Sequence, residues 1–126
     1  MAAPSYGTHV NTVHWIALSF GEKDIDADAI EAWAQNAPFN GKLVHFEVNA
    51  QSEAGTAPTL DIDIQQGTTS LLSTPVTVVT GTPTEATLAT SPTFTKGTKL
   101  SIDLDVGGTS PVFTYVSVLM GLEKTS

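Results

Sequence analysis

The chain of 126 residues contains no cysteine and no arginine, and only 14% of its residues are charged. Without cysteine it can form neither a disulfide framework nor a thiolate metal site. Five lysines stand against 13 acidic residues, which gives a formal net charge of -8 at pH 7. Because nucleic acids and anionic membranes attract cationic surfaces, we predict that neither is a partner of this chain.

Long apolar runs are also missing. No stretch approaches the ~20 apolar residues that a membrane-spanning helix needs, and the N-terminal residues lack the basic and then apolar order of a signal peptide. A folded chain of this length buries roughly two-thirds of the surface that its unfolded form exposes, so one core can stabilise it. We therefore predict a single domain, residues 15–126, preceded by an arm, residues 1–14.

Threonine, valine and proline are abundant, a composition typical of strands and turns. From Gly41 onward apolar and polar residues alternate, as expected for strands with one buried face. Short strands separated by turn residues at roughly ten-residue spacing, without crossover helices, indicate an all-β, antiparallel β-sandwich that resembles a jelly roll. In two of the strands the polar positions are aspartates, which we expect on an outer face: Asp61, Asp63, Asp103 and Asp105.

The N-terminal third has three distinct patterns. Met1–His14 shows no hydrophobic period and is interpreted as an extended arm, whereas Val13–Phe20 has the apolar density of a short strand. Between Asp24 and Ala37 apolar residues recur at three- and four-residue steps with acidic residues first, which predicts one short helix ended by Pro38.

The segment Val112–Leu122 is the longest apolar stretch and is predicted to form the last strand. If its even-numbered residues fill the core, Phe113, Tyr115 and Leu119 lie on the opposite face. Either a loop or the short helix covers these three side chains, or they form an oligomer interface, since contiguous apolar surface often marks one.

Few residues suggest chemistry. The aspartate pairs could bind calcium, but no calcium-binding loop accompanies them, so solvated strand faces are favoured. His9, His14 and His45 have no ligand-like spacing. No nucleophile elbow, singled-out carboxylate pair or phosphate loop is present, so we predict no enzymatic activity, catalytic residue, cofactor or metal.

Aromatic side chains offer one alternative use. Trp15, Trp33 or Tyr115 could stack on a sugar ring. Trp33 lies on an apolar stripe of the predicted helix and Trp15 lies within a strand, so we expect both to pack in the core.

Several segments together resemble a known class of protein. The chain from about Phe20 to Leu122 looks like the small β-sandwich virion proteins of tailed bacteriophages, particularly capsid decoration (cement) proteins and head-fibre domains. The segments that carry this resemblance are Ala37–Val44, Ala54–Thr56, Asp61–Ile64, Ser70–Leu72 before Pro75, and Lys96–Asp103 before the last strand.

The resemblance implies a structural role on the outer surface of the virion. Such proteins typically form homotrimers that bind the major capsid protein and stabilise the expanded shell, with arms or loops that grip it. An unpatterned arm can order along a neighbouring surface on binding, although a merely disordered tail would have the same composition. The resemblance thus makes the N-terminal arm the candidate capsid-binding segment, with Pro4, Ser5, Tyr6, His9 and Val10 as its contact residues.

A second hypothesis is a phage fibre or carbohydrate-binding module for host recognition. Its exposed loops, residues 51–58 and 81–96, would bind a host glycan. A fibre domain usually adjoins a long shaft, and these residues contain no shaft repeat, so we expect decoration rather than fibre attachment.

Overall fold

The computed structural model describes residues 12–21 and 24–125, and every regular element in these ranges is a β-strand. The predicted all-β class is confirmed. No helix capable of crossing a membrane occurs in the part of the chain described. The strands are β1 (Val13–Ser19), β2 (Ala29–Asn36), β3 (Gly41–Asn49), β4 (Ser52–Gln66), β5 (Thr69–Ser70), β6 (Val76–Thr77), β7 (Thr84–Glu85), β8 (Thr93–Phe94), β9 (Lys99–Thr114) and β10 (Ser117–Lys124).

The strands form two antiparallel five-stranded sheets. Sheet I has the order β1-β10-β3-β7, with β8 also paired to β3, and sheet II has the order β2-β9-β4-β5, with β6 also paired to β4. In each sheet a strand from the C-terminal part of the chain, β10 or β9, lies between two strands from the N-terminal part. This wrapped order is that of a jelly roll, so the predicted sandwich is confirmed.

The core lies between the sheets and follows the predicted alternation. In β4, Leu60, Ile62 and Ile64 are buried, and their cross-strand partners in β9 include Leu104 and Ile102. A one-residue slip would turn the intervening aspartates into this core, so the apolar pattern fixes the register. Sheet I closes the core from the other side with Phe46, Val48, Val118, Met120 and Leu122.

The predicted helix between Asp24 and Ala37 is wrong. Ile25 forms an isolated bridge with Phe113, and β2 then pairs with β9 as an edge strand. Ala29 pairs with Leu104 and Trp33 with Ile102, so four steps in β2 match two in β9. This bulge interrupts the period-two pattern and produces the helix-like spacing of apolar residues.

The prediction of one last strand over Val112–Leu122 is also wrong. β9 ends at Thr114, β10 begins at Ser117, and Tyr115 between them has a φ of 52°. The turn changes the phase of the alternation. Phe113 consequently points into the core before the turn, whereas Val118 and Met120 do so after it.

The boundary of the predicted arm also shifts. Residues 1–11 lie outside the described residues. Val13 and His14, which we assigned to the arm, are the first two residues of β1 and pair with Glu123 and Leu122 of β10. The first strand of the described residues therefore includes Val13 and His14.

A neutral ribbon extends from sheet II where β9 leaves β2. Ile25 and Ala29 are only four positions apart, but their partners Phe113 and Leu104 are nine positions apart. The intervening part of β9 stays paired with β4 instead, and we call residues 54–59 and 107–112 the ribbon. Its side chains are exposed or half-buried, and none is charged.

Glycine allows the two ribbon strands to approach closely. Gly108 has a φ of 102°, and a Cβ there would lie 2.6 Å from the carbonyl oxygen of Ala57. Gly97 has a similar φ of 87°, but a Cβ there would meet nothing within 4 Å. Comparing the same substitution at the two glycines thus distinguishes the destabilisation caused by the positive φ from that caused by a steric clash.

We predict that Gly108→Ala destabilises the protein more than Gly97→Ala. Both variants force a non-glycine residue into the left-handed region, at a cost of about 1–2 kcal/mol. Gly108→Ala must also displace the Ala57 backbone, which adds roughly 1 kcal/mol or more. Urea unfolding followed by circular dichroism measures the difference, and equal losses of stability would argue against the close approach.

Candidate functional site: the outer faces of the two sheets

The four aspartates predicted for an outer face lie together on sheet II. Asp61 pairs with Asp105 and Asp63 with Asp103 across β4 and β9. None of the four is buried, whereas the apolar residues between them are, which confirms the prediction that the aspartates point away from the core.

Three of these carboxylates hold neighbouring segments of the sheet. Asp61 accepts a hydrogen bond from the Thr77 hydroxyl at 2.6 Å, and Asp63 accepts one from the Ser70 hydroxyl at 2.5 Å. Asp103 accepts a bond from the backbone N–H of Glu31 at 2.8 Å, within the β2 bulge. These bonds attach β5, β6 and β2 to the central β4–β9 pair, so the carboxylates act as structural acceptors.

Asp105 is in a different situation because it lies beside Asp28. The Asp28 carboxylate accepts a hydrogen bond from the backbone N–H of Val106 at 2.7 Å. Repulsion from the Asp28 charge is the largest influence that raises the pKa of Asp105; desolvation, a side-chain hydrogen bond to Asp28 and the Asp61 charge act in the same direction. The crowded carboxylates therefore disfavour the folded state once Asp105 ionises.

Calcium binding at this acidic face is not supported by an assembled ligand set. No group of three or more His, Cys, Asp or Glu side chains with a geometry for a metal ion occurs within residues 12–21 and 24–125. That the chain takes no metal or cofactor stays a prediction.

The outer face of sheet I has an aromatic and acidic cluster. Trp15 is 58% exposed, so its predicted core position is wrong. Its ring lies 5.4 Å from the His45 ring and crosses Gly121, where an added Cβ would lie 3.1 Å from the indole. Glycine at 121 thus leaves the space that the indole occupies.

His45 of β3 contacts two carboxylates, that of Glu47 on its own strand and that of Glu85 on β7. Its Nε2 lies 3.2 Å from Oε1 of Glu47, and its Nδ1 lies 3.2 Å from Oε1 of Glu85. Both contacts are hydrogen bonds only when both ring nitrogens carry protons. We predicted that His45 lies on the surface. It does lie on the outer face of the sheet, but it is half-buried between two carboxylates and the Trp15 ring.

The three predicted interface residues do not share one exposed face. Phe113 is only 1% exposed and packs in the core, so the prediction that it is exposed is wrong. Tyr115 is 45% exposed at the turn between β9 and β10. Leu119 is half-buried in the middle of sheet I, between Ala17 and Glu47.

Leu119 borders an open depression on the outer face of sheet I. The other outward side chains around it include the small residues Ala17, Ser19 and Ser117, together with Asn49. The Oδ1 atom of Asn49 is shielded from solvent and accepts no hydrogen bond from the described residues. Shielded polar atoms normally have partners, so this Oδ1 is an unusual acceptor next to the depression.

The remaining candidate residues fall in three places. Pro4, Ser5, Tyr6, His9 and Val10 lie outside the described residues. Trp33 is half-buried and packs against the core, as predicted. The two loops proposed for glycan binding contain strand residues: 52–58 belong to β4, and β7 and β8 lie within 81–96.

The sequence of β1 contains the signal that predicts the exposure of Trp15. Ile16, Leu18 and Phe20 share one parity and pack against the core, whereas Trp15 alternates with the small residues Ala17 and Ser19. The even-numbered set carries the larger total apolar volume. Counting by parity would therefore have assigned Trp15 to the outer face.

The fold is similar to that of a chain in the solved capsid asymmetric unit of cyanophage Pam1. The match has a TM-score of 0.58 and covers 98% of this chain and 92% of that chain, at 19% sequence identity. No family model matches the sequence, and neither does any curated protein. At this level of identity the likeness establishes a shared fold.

We predict that Asp105→Asn increases the free energy of unfolding at pH 7. Because the folded state raises the pKa of Asp105, its ionisation destabilises the fold as the pH rises above the ordinary value of 3.8. The gain from the substitution should therefore shrink as the pH falls from 7 toward that value and be absent below it. Urea unfolding at several pH values measures this, with Asp24→Asn as a control for the same change in net charge.

Asp24→Asn should show a smaller gain at pH 7, since Asp24 is exposed and is not among the charges that raise the Asp105 pKa. A gain from Asp105→Asn that persists unchanged at low pH would contradict repulsion as its cause.

Proposed function

We propose that this chain is a structural virion protein that decorates the outer surface of a phage capsid by binding the major capsid protein as a homotrimer. The observation that carries this proposal is the likeness to a chain in a phage capsid asymmetric unit, which extends over nearly the whole of both chains. The segments noted above that resemble decoration proteins point in the same direction.

The charge distribution is compatible with an external position. The chain carries a net charge of -8, and four aspartates lie together on the outer face of sheet II. An acidic surface keeps many copies soluble and is repelled by packaged DNA. The outside of the shell is therefore the favourable side for this protein.

The depression beside Leu119 is the surface that we assign to the trimer contact. It has an apolar centre at Leu119, bordered by small side chains and by Glu47, so a neighbouring copy can approach that centre closely. Tyr115, two residues before the depression begins at Ser117, supplies an exposed aromatic ring of the kind enriched in interfaces.

The N-terminal arm is the segment that we assign to the capsid. The described chain starts at the edge of sheet I, where the N–H of Lys124 donates a hydrogen bond to the carbonyl of Thr12 at 3.2 Å. Residues that precede Thr12 are thereby attached to a fixed point on the sandwich. A tethered segment of this kind can cover a large area of a neighbouring protein on binding.

The proposal is tested by counting copies of this chain in purified virions. We expect quantitative mass spectrometry to find about one copy for each copy of the major capsid protein. Particles assembled with a chain that lacks Met1–Tyr6 should lose the protein, although the purified variant keeps its β-sheet circular dichroism. The full chain added to the same particles is the matched control.

Other ratios would contradict decoration. A few copies per hundred capsid subunits would favour the second candidate, a glycan-binding fibre module, for which the exposed Trp15 ring beside polar His45 is the supporting feature. Absence from the particle would exclude both virion roles. Full retention of the shortened chain would exclude the arm as the capsid contact.

We predict that Tyr115→Asp converts the trimer to a monomer. The substitution puts a charge into the proposed contact, and aspartate tolerates the positive φ of this position better than tyrosine does. Multi-angle light scattering measures the mass. Val79→Asp adds the same charge at another exposed apolar residue and should leave the trimer intact; a Tyr115→Asp trimer would refute the contact.

A further inference from the structure

Among the described residues, nothing protects the outer edge of sheet I. β1 is the terminal strand of the sheet, and within the described ranges no strand pairs with its other side. Its register with β10 runs without interruption from Val13 to Ser19, so no bulge twists the edge away. The sequence of β1 contains no proline, lysine or other charged side chain. These are the features that commonly prevent strand addition at sheet edges.

The long edge strand of sheet II, β2, differs from β1 in these respects. It carries a bulge, a positive φ at Glu31, and an ion pair between Glu31 and Lys99. β7 and β8, at the far side of sheet I, have only two residues each. Among the strands of the described chain, β1 is thus the one whose length and regularity suit further pairing.

The hydrogen bonds at the two ends of β1 identify which backbone groups face outward. Phe20 N–H donates to the Val116 carbonyl at 2.9 Å, and Lys124 N–H donates to the Thr12 carbonyl at 3.2 Å. In an antiparallel ladder alternate residues direct both backbone groups to the same side. The even-numbered residues therefore bond to β10, and the odd-numbered residues, Val13, Trp15, Ala17 and Ser19, direct theirs to the free edge.

We infer that this edge pairs with the same edge of a second copy of this chain. A two-fold axis at Ile16 aligns Val13 with Ser19 of the other copy and Trp15 with its Ala17. All four outward residues then form hydrogen-bonded pairs, and all seven residues of β1 have a partner. The resulting antiparallel contact joins the two copies of sheet I into one continuous sheet.

The side chains favour this self-pairing. On the outer face, Trp15 stands opposite the small Ala17 of the other copy, and its ring leans over Gly121 and away from the edge, which leaves room for the partner strand. On the inner face, the half-buried Ile16 lies opposite Ile16 of the other copy, and the half-buried Leu18 lies opposite its His14. β1 is also the only strand of more than two residues in the described chain that lacks a charge, so two chains of net charge -8 meet there with the least repulsion.

This contact adjoins the proposed trimer surface, since Ala17 and Ser19 border both, but the two contacts use different groups. It is formed by backbone groups at the edge of β1, whereas the trimer contact involves side chains around Leu119 and Tyr115. The pairing goes beyond the proposed function and would connect one copy, or one trimer, to the next.

A single cysteine tests the symmetry, because the natural chain has none. At the axis, the two residues 16 form a non-hydrogen-bonded pair with Cα atoms about 4.5 Å apart, within disulfide range. We expect oxidised Ile16→Cys to give a disulfide-linked dimer on a non-reducing gel. Ser19→Cys is the control, since its equivalent lies six positions along the paired strands, about 20 Å away, and should not cross-link.

A second pair of variants tests the edge hydrogen bonds. The N–H of Ala17 points outward, so Ala17→Pro leaves the bonds to β10 intact but removes an edge donor and places its ring at the edge. In the Ile16→Cys background we expect Ala17→Pro to reduce the cross-linking rate at least about tenfold, through two lost hydrogen bonds per dimer. Ala17→Ser, which keeps the N–H, should retain the rate.

Each point variant is made in the full-length chain, with circular dichroism to establish that each variant is folded. Failure of folded Ile16→Cys to cross-link, cross-linking that survives Ala17→Pro, or preferential cross-linking of Ser19→Cys would overturn the proposal. So would cross-linking that appears only after residues 1–11 are deleted, because the edge would then be occupied by the chain's own N-terminal segment. Exclusive capture of a different virion protein by the Ile16→Cys variant would also overturn it, since another chain would then occupy the edge.

Discussion

The pairing of β4 with β9 is the interaction on which the rest of the structure depends. It extends from Ser52 opposite Thr114 to Gln66 opposite Leu100, and it forms the centre of sheet II. At one end both strands continue, through two residues each, into β3 and β10 of sheet I. One long strand pair therefore turns the corner between the sheets. Its register decides at once which side chains enter the core and which face outward.

The same register brings the carboxylates together on sheet II. Alternation obliges the aspartates to stand opposite one another, and the structure offsets their repulsion by giving Asp61, Asp63 and Asp103 donors from adjoining segments. Asp105 faces Asp28 instead and has a raised pKa. The acidic face is thus a consequence of packing the core, and the aspartates serve to attach the shorter strands.

The surfaces available for association lie mainly on sheet I. Its outer face combines the Trp15 and His45 cluster with the depression beside Leu119, and its edge is the regular, uncharged strand β1. Sheet II presents charge and a bulged edge. Although Glu47 and Glu85 also lie on its outer face, sheet I is therefore the side that we propose for contacts with other copies of the chain.

Period-two alternation expresses burial on one face of a strand, so the strand class, the antiparallel sandwich and the outward position of the aspartates were all predictable from the sequence. The positions at which that alternation changes phase were not, because the tertiary structure sets them. The β2 bulge opposite Leu104 and Ile102 produces helix-like spacing, and the turn at Tyr115 buries Phe113, which an unbroken strand would expose. The tertiary structure also decided the exposure of Trp15 and the free edge of β1, since both depend on which strands are neighbours, and pairing between distant segments leaves no local pattern in either one.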